Sequence, residues 1–210
     1  MIDLMENIKQ SDITSIFTTG DLYKFGYEEP YVREMLQKAV MNGEIIHIKD
    51  DIYTLGRMLR KELIDNQVLA QKLVPQSYVS MEYVLSHVSW IPESVYVVTC
   101  VTRGKNRNFN TEFGRYEYIN LPQKNYNAGV RHFVDGIYEY YKATPLKALA
   151  DMIYERNYNW TTLRPLYESL RIEDDDLETL TSEDFDELHE TYGIARVENF
   201  LCGIRKELSL

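Results

Sequence analysis

Two periods organise the apolar positions of this chain. Between residues 30 and 43, Val32, Met35, Leu36, Ala39 and Val40 fall at i, i+3, i+4, i+7 and i+8, the stripe of an amphipathic helix. Pro30 suits the first turn of that helix and Gly43 its end. Upstream, "TTGDLYKF" predicts a short helix, with Thr18 or Thr19 as its cap and Asp21 in its first turn. Downstream, "EIIHI" and "IYTL" read as two strands joined around "KDD". Helix, break, helix and hairpin in close succession is the order of a winged helix-turn-helix.

Further along, "RMLRKELIDNQVLAQKLV" predicts a connecting helix ended by Pro75, and "SMEYVLSHVSW" a second with Ser80 as its cap. The period then shortens to two. "SVYVVTCVT" reads as a buried strand, "GRYEYINL" as an alternating one, and "VRHFVDGIYEYYKA" as a hairpin turning at Asp135-Gly136. Beyond Pro145 the pattern is helical to the end, through "PLKALADMIYERN", "WTTLRPLYESL", "DFDELHETYG" and "ARVENFLCGIRKEL". The predicted class is α+β: a winged helix-turn-helix over 1–58, a mixed α/β domain over 59–158 and an acidic helical extension over 159–210.

Charge complicates the first of these. The chain carries 23 Lys+Arg against 33 Asp+Glu, a net charge of −10. Residues 1–60 hold seven bases and ten acids, 61–140 eight of each, and 141–210 eight and fifteen. The acidity is therefore concentrated at the C-terminal end, above all in "EDDDLETLTSEDFDELHE". The "EDDD" run lacks the alternate spacing and glycine of a calcium loop, and reads as a solvated helix start. It would also suit contact with a basic partner or deter nonspecific DNA binding. Cys100 and Cys202, far apart, read as small core residues, and no CxxC or paired His spacing predicts a zinc site. The 17 tyrosines suit half-buried strands first and a partner surface second. With acids in "MIDLMENIKQ" and no long apolar run, the expected compartment is the cytoplasm, with no membrane association.

No enzyme emerges. GxSxG, GxGxxG, HExxH and a phosphate-binding glycine loop are all missing, and His47, His87, His132 and His189 share no catalytic or ligand spacing. The chain is expected to be non-catalytic and to need no cofactor or metal. What the sequence offers instead is a reading face. With the apolar stripe inward, Tyr31, Glu34, Gln37, Lys38 and Met41 point outward, with Arg33 on the flank. Gln37 suits adenine, and Arg33 and Lys38 a base edge or phosphate; Glu34 accepts from cytosine or else repels phosphate. Thr19 and Lys24 on the preceding helix and Lys49 on the hairpin complete the candidate DNA contacts. The most basic segment, "TRGKNRNFN", brings Arg103, Lys105 and Arg107 together, either as a solvated loop or as a contact to phosphate or an acidic protein surface. Winged helices also serve purely as protein-interaction modules, so a protein partner remains the alternative.

A family resemblance bears on this choice. "SYVSMEYVLSHVSWIPESVYVVTCVT", "FGRYEYINLP" and "ATPLKALADMIY", in that order, resemble the AbiEi antitoxins of type IV toxin–antitoxin (abortive infection) systems. The matching positions are Ser77-Tyr78-Val79-Ser80, Ile91-Pro92-Glu93, Gly114 through Tyr118 and Ala143 through Tyr154. Leu146 departs, standing where the family usually has an acid before the lysine. The resemblance spans roughly residues 12–155 and the order of domains. It implies a winged helix that binds operator DNA and represses its own operon. It also implies a second domain that counters a nucleotidyltransferase-type toxin without a stable complex, in phage defence. Neither activity needs a catalytic site in this chain.

Overall fold

The computed structural model describes residues 4–10, 15–60, 62–135 and 138–210. The chain is α+β and divides into two compact units. The N-terminal unit comprises Met1–Pro75 with Thr111–Phe113 and Val134–Glu139; the C-terminal unit comprises Gln76–Asn110, Gly114–Phe133 and Tyr140–Leu210.

In the N-terminal unit the order is α1 (Leu4–Gln10), β1 (Ile16–Thr18), α2 (Thr19–Tyr23), α3 (Glu29–Met41), β2 (Ile45–Lys49) and β3 (Ile52–Leu55). Helix α2 starts where Thr18 and Asp21 form a reciprocal capping box, each side chain accepting from the other's backbone N–H. Gly26, at φ +80°, turns the chain from α2 into α3. Asp50, at φ 45°, turns β2 into β3, a position that Asp tolerates better than most residues. The three strands form one sheet in the order β1-β3-β2, with both pairings antiparallel. Leu4, Met5 and Ile8 of α1, Leu22 of α2 and Val32, Leu36 and Ala39 of α3 share a core with Phe17, Ile45 and Leu55 of the sheet.

Several expectations shift here. Helix α1 and strand β1 had no signal of their own, being short. The connecting helix is α4 (Asn66–Leu73) alone, because Asp65 takes the cap position and accepts from Gln67 N at 2.7 Å. Arg57, Met58 and the residues up to Asp65 that are described lie outside it.

The C-terminal unit holds all or most of each strand of a six-stranded sheet in the order β6-β7-β5-β4-β9-β8. Its strands are β4 (Tyr78–Val79), β5 (Val97–Thr102), β6 (Arg107–Thr111), β7 (Gly114–Asn120), β8 (Val130–Asp135) and β9 (Tyr138–Ala143). Pairing is mixed: β5 is parallel to β7 and antiparallel to β4, and β4 is parallel to β9. The predicted turn at Asp135-Gly136 lies outside the described residues. The first predicted strand begins only at Val97, leaving Tyr96 exposed.

Helix α5 (Met81–His87) packs on β5 and on α6 (Pro145–Glu155), which also meets α8 (Ser182–Leu188) and α9 (Ala195–Glu207). Every residue of α6 from Leu146 to Ile153 is buried, so this helix is enclosed on all sides. The "WTTLRPLYESL" segment closes as a π-helical turn at Leu166–Leu170, ended by Arg171 at φ 56°. The "EDDD" run does start a helix, α7 (Asp174–Leu177), with Glu173 and Asp176 as its capping box. Cys100 is buried, but Cys202 is exposed on α9, against expectation, because its helix buries Val197, Phe200, Leu201 and Ile204 on the opposite face.

Two contacts in this unit give direct tests. A Cβ added at Gly203 would overlap the carbonyl oxygen of Thr161. Gly203→Ala is therefore expected to cost about 1–3 kcal/mol despite the better helix propensity of Ala, read as a lower thermal unfolding midpoint. Equal or higher stability would rule out so close an approach. The second contact is Glu187, which accepts from Gly129 N at 2.8 Å and from both terminal nitrogens of Arg131, at 2.9 and 2.7 Å. The Arg131 hydrogen bond holds its carboxyl below the ordinary value of 4.5. A depressed acid stabilises the fold above its ordinary value and loses that contribution as pH falls through the folded value. The stability advantage of the wild type over Glu187→Gln should therefore shrink on acidification below about 4.5. An advantage independent of pH would refute this.

Candidate functional site

Helix α3 and the β2–β3 hairpin form the candidate reading surface of the N-terminal unit. Val32, Leu36 and Ala39 face the core, so the helical period places Arg33, Glu34, Gln37, Lys38 and Met41 on the exposed side. Two expectations about this helix need correction. Tyr31 is half-buried, its ring 5.2 Å from that of Tyr27 and packed on the core. Val40, expected inside, is exposed with Met41 in the last turn, beyond the part of α3 that the core covers. Between α3 and the hairpin runs a groove of about 720 Å³. It brings together Thr19, Arg33 and Gln37 with Tyr23, Val40, Met41 and Tyr53. Lys24, Lys38 and Lys49 do not line it.

The electrostatics of this surface are nearly self-cancelling. Arg33 pairs with Glu29 at 2.8 Å, Lys38 with Glu34 at 2.6 Å, Lys24 with Asp21 at 2.8 Å and Lys49 with Asp50 at 3.2 Å. The hydrogen bond between Lys38 and Glu34 raises the ammonium's pKa and lowers the carboxyl's. Glu29, Asp50 and Asp51 add acid to the groove itself. Exposed ion pairs of this kind contribute little to stability, so exchanging a carboxylate for a phosphate costs little. The pairs do, however, leave no net positive field to attract DNA from a distance. Each pair joins residues one to four positions apart, a spacing the chain itself carries. His47, on β2, has its ring 4.8 Å from that of Tyr53, tilted by 30°, and its Nε2 lies 2.7 Å from the Asp50 carbonyl oxygen, making it a hairpin brace.

The C-terminal unit contains a buried charge network that sequence reasoning missed. Lys147 and Asp151, one turn apart on α6, are both wholly buried, with Nζ and Oδ1 3.3 Å apart. Asp151 also accepts from Tyr78 Oη at 3.0 Å, Ser80 Oγ at 2.6 Å, Gln123 Nε2 at 3.2 Å and Tyr192 Oη at 2.6 Å. Lys147 donates to Gln123 Oε1 at 2.6 Å and lies over the Tyr192 ring at 4.4 Å. Burial lowers the Lys147 pKa, with Asp151 opposing the shift, and burial raises Tyr78 and Tyr192, helped by the Asp151 charge. Ser80 occupies the cap position of α5 as expected, but it makes no cap hydrogen bond because its hydroxyl is committed to Asp151. The available signal was a Lys and an Asp at i, i+4 inside an otherwise apolar helix.

Of the basic segment, Arg103 lines a cavity of about 430 Å³ within this unit, with its guanidinium 4.5 Å from the Tyr126 ring centroid. Lys105 and Arg107 are exposed and do not line it. Of the three, only Arg103 is brought to the cavity.

Among the described residues no group of His, Cys, Asp and Glu is placed to hold a metal ion, and no helix is long and apolar enough to cross a membrane. No protein-family model matches the chain, and no curated protein matches it.

Proposed function

We propose that this protein is a cytoplasmic DNA-binding regulator whose N-terminal unit is a winged helix, and that it acts as the antitoxin of a type IV toxin–antitoxin pair. The observation that carries the DNA half is the order α1-β1-α2-α3-β2-β3, with β1 closing the sheet on β3 and α3 presenting Arg33, Gln37 and Lys38 outward. In a winged helix this places α3 in the major groove and the β2–β3 hairpin as the wing. The paired charges imply weak nonspecific affinity, so recognition depends on a matched operator. The antitoxin half rests on the resemblance of residues 77–154 to the AbiEi pattern.

The experiment is a binding titration on the DNA upstream of the protein's own gene, across a salt series. Specific binding that weakens as salt rises supports the regulator, and no binding at low salt defeats it. For the antitoxin half, co-expression with a neighbouring nucleotidyltransferase should relieve growth arrest, and persistent arrest would count against it.

One observation favours a second reading. Met41 is 87% exposed beside Val40 and Tyr23 on a groove that also carries Glu29, Asp50 and Asp51. Apolar contact ringed by acids suits a basic protein segment better than a phosphate backbone. Met41→Asp would abolish such docking; retained operator binding in that variant separates the two readings.

A further inference from the structure

We propose that the cavity in the C-terminal unit is a binding site for a nucleoside monophosphate. The proposal goes beyond the DNA-regulator reading and stands independently of it. The cavity's volume of about 430 Å³ lies in the small-ligand range of roughly 300–1,000 Å³, far above what a bare phosphate ion fills. Its floor is formed by buried Ser77, Tyr78 and Tyr126, and its rim by exposed Arg103, Asn127 and His132, with Tyr141 beside them.

The charge of the lining is the reverse of the chain's. In a protein of net charge −10, the cavity is lined by an arginine and a histidine and by no acid. The bases on the α3 surface are each tied to a carboxylate, whereas Arg103 has no ion-pair partner among the described residues. Its guanidinium is held over Tyr126 instead, which orients the planar fork and leaves its N–H donors for a phosphate.

The aromatic lining suits the rest of such a ligand. Tyr126 is fixed by its hydroxyl, which donates to Val101 O at 2.8 Å and Gln76 O at 3.0 Å. Arg103 covers the Tyr126 face, and His132 and Tyr141, stacked at 4.6 Å with planes 14° apart, provide the flat surface for a base. A flat π-face accepts any base, and Asn127 supplies hydrogen-bonding groups for a base edge. The site is also built rather than incidental. The Tyr78 hydroxyl belongs to the Lys147–Asp151 network. Gln76, also lining the cavity, holds φ at +64°, a left-handed conformation uncommon for its residue type and retained where its carbonyl anchors Tyr126.

The test is calorimetric titration of the full chain with AMP, GMP, CMP and UMP, with the matching nucleosides and inorganic phosphate as comparison arms. At least one monophosphate should bind with a Kd below about 1 mM. Its nucleoside and free phosphate should each bind at least about tenfold more weakly, since each supplies only half of the contacts. Arg103→Ala should weaken the monophosphate by about tenfold or more, and Tyr141→Ala should weaken both monophosphate and nucleoside, with unfolding midpoints unchanged. Arg103→Lys, which keeps the charge and loses the fork, should fall between wild type and Arg103→Ala. The proposal is overturned if no monophosphate binds, if phosphate alone binds as tightly, or if Arg103→Ala and Tyr141→Ala leave affinity unchanged. Failure of operator binding would leave it untouched, because the ligand arm uses no DNA.

Discussion

Asp151→Ala should destabilise this protein by about 3–5 kcal/mol, the range for removing one partner of a buried ion pair. The substitution strands Lys147 as a buried charge that keeps its hydrogen bond to Gln123 Oε1 but loses the carboxylate. It also removes the common acceptor of Tyr78, Ser80, Gln123 and Tyr192, so several donors lose their partner at once. Lys147→Ala should be severe as well, because it leaves the carboxylate uncompensated. The Lys147→Met/Asp151→Leu double variant removes both charges and should cost less than the two single losses combined. It should still fall short of wild type, since the hydroxyls and the Gln123 amide keep their need for partners. Urea denaturation, compared across the set at equal m-value, provides the measurement. A loss under about 1 kcal/mol for Asp151→Ala would mean the network is hydrated and not sealed as described.

On the proposed DNA-regulator reading, Arg33→Ala/Gln37→Ala should lower affinity for the operator by roughly a hundredfold or more, since each bidentate base contact carries about 1–3 kcal/mol of discrimination. The same variant should change nonspecific binding little, because Arg33 already shares its charge with Glu29. Glu29→Gln should act in the opposite direction, freeing the guanidinium and removing a repulsive charge from the groove. Mobility shifts at several salt concentrations, on operator and scrambled DNA, separate these effects. Unchanged operator affinity in the double variant would mean that α3 does not read the DNA.

Much of this architecture was legible along the chain. Regular spacing of Val32, Leu36 and Ala39 defined α3, and Thr18 with Asp21 announced α2 through local hydrogen bonds that need no distant partner. Less legible were the short elements. Strand β4 spans only Tyr78–Val79, and it exists because β5 and β9 flank it on either side. The predicted helix across residues 57–74 failed for a related reason: favourable local composition lost to the Asp65 cap.

For the candidate sites the division follows the range of the interactions. The sequence by itself determined most of the exposed side of α3, Arg33, Glu34, Gln37, Lys38 and Met41, because helical period is a local property, while Tyr31 and Val40 at the helix ends followed the packing around them. It also showed the acid surplus that makes DNA attraction weak. Only the tertiary structure decided that Arg103 leaves Lys105 and Arg107 to line a cavity with His132, and that Lys147 and Asp151 are sealed together with Gln123, Tyr78 and Tyr192. Those outcomes depend on residues 24 to 73 positions apart being brought within hydrogen-bonding reach, as Gln123 is to Lys147 and Tyr78 to Asp151. Local patterning carries no record of such pairings, since burial and the partners it forces on a polar group are set by the whole fold.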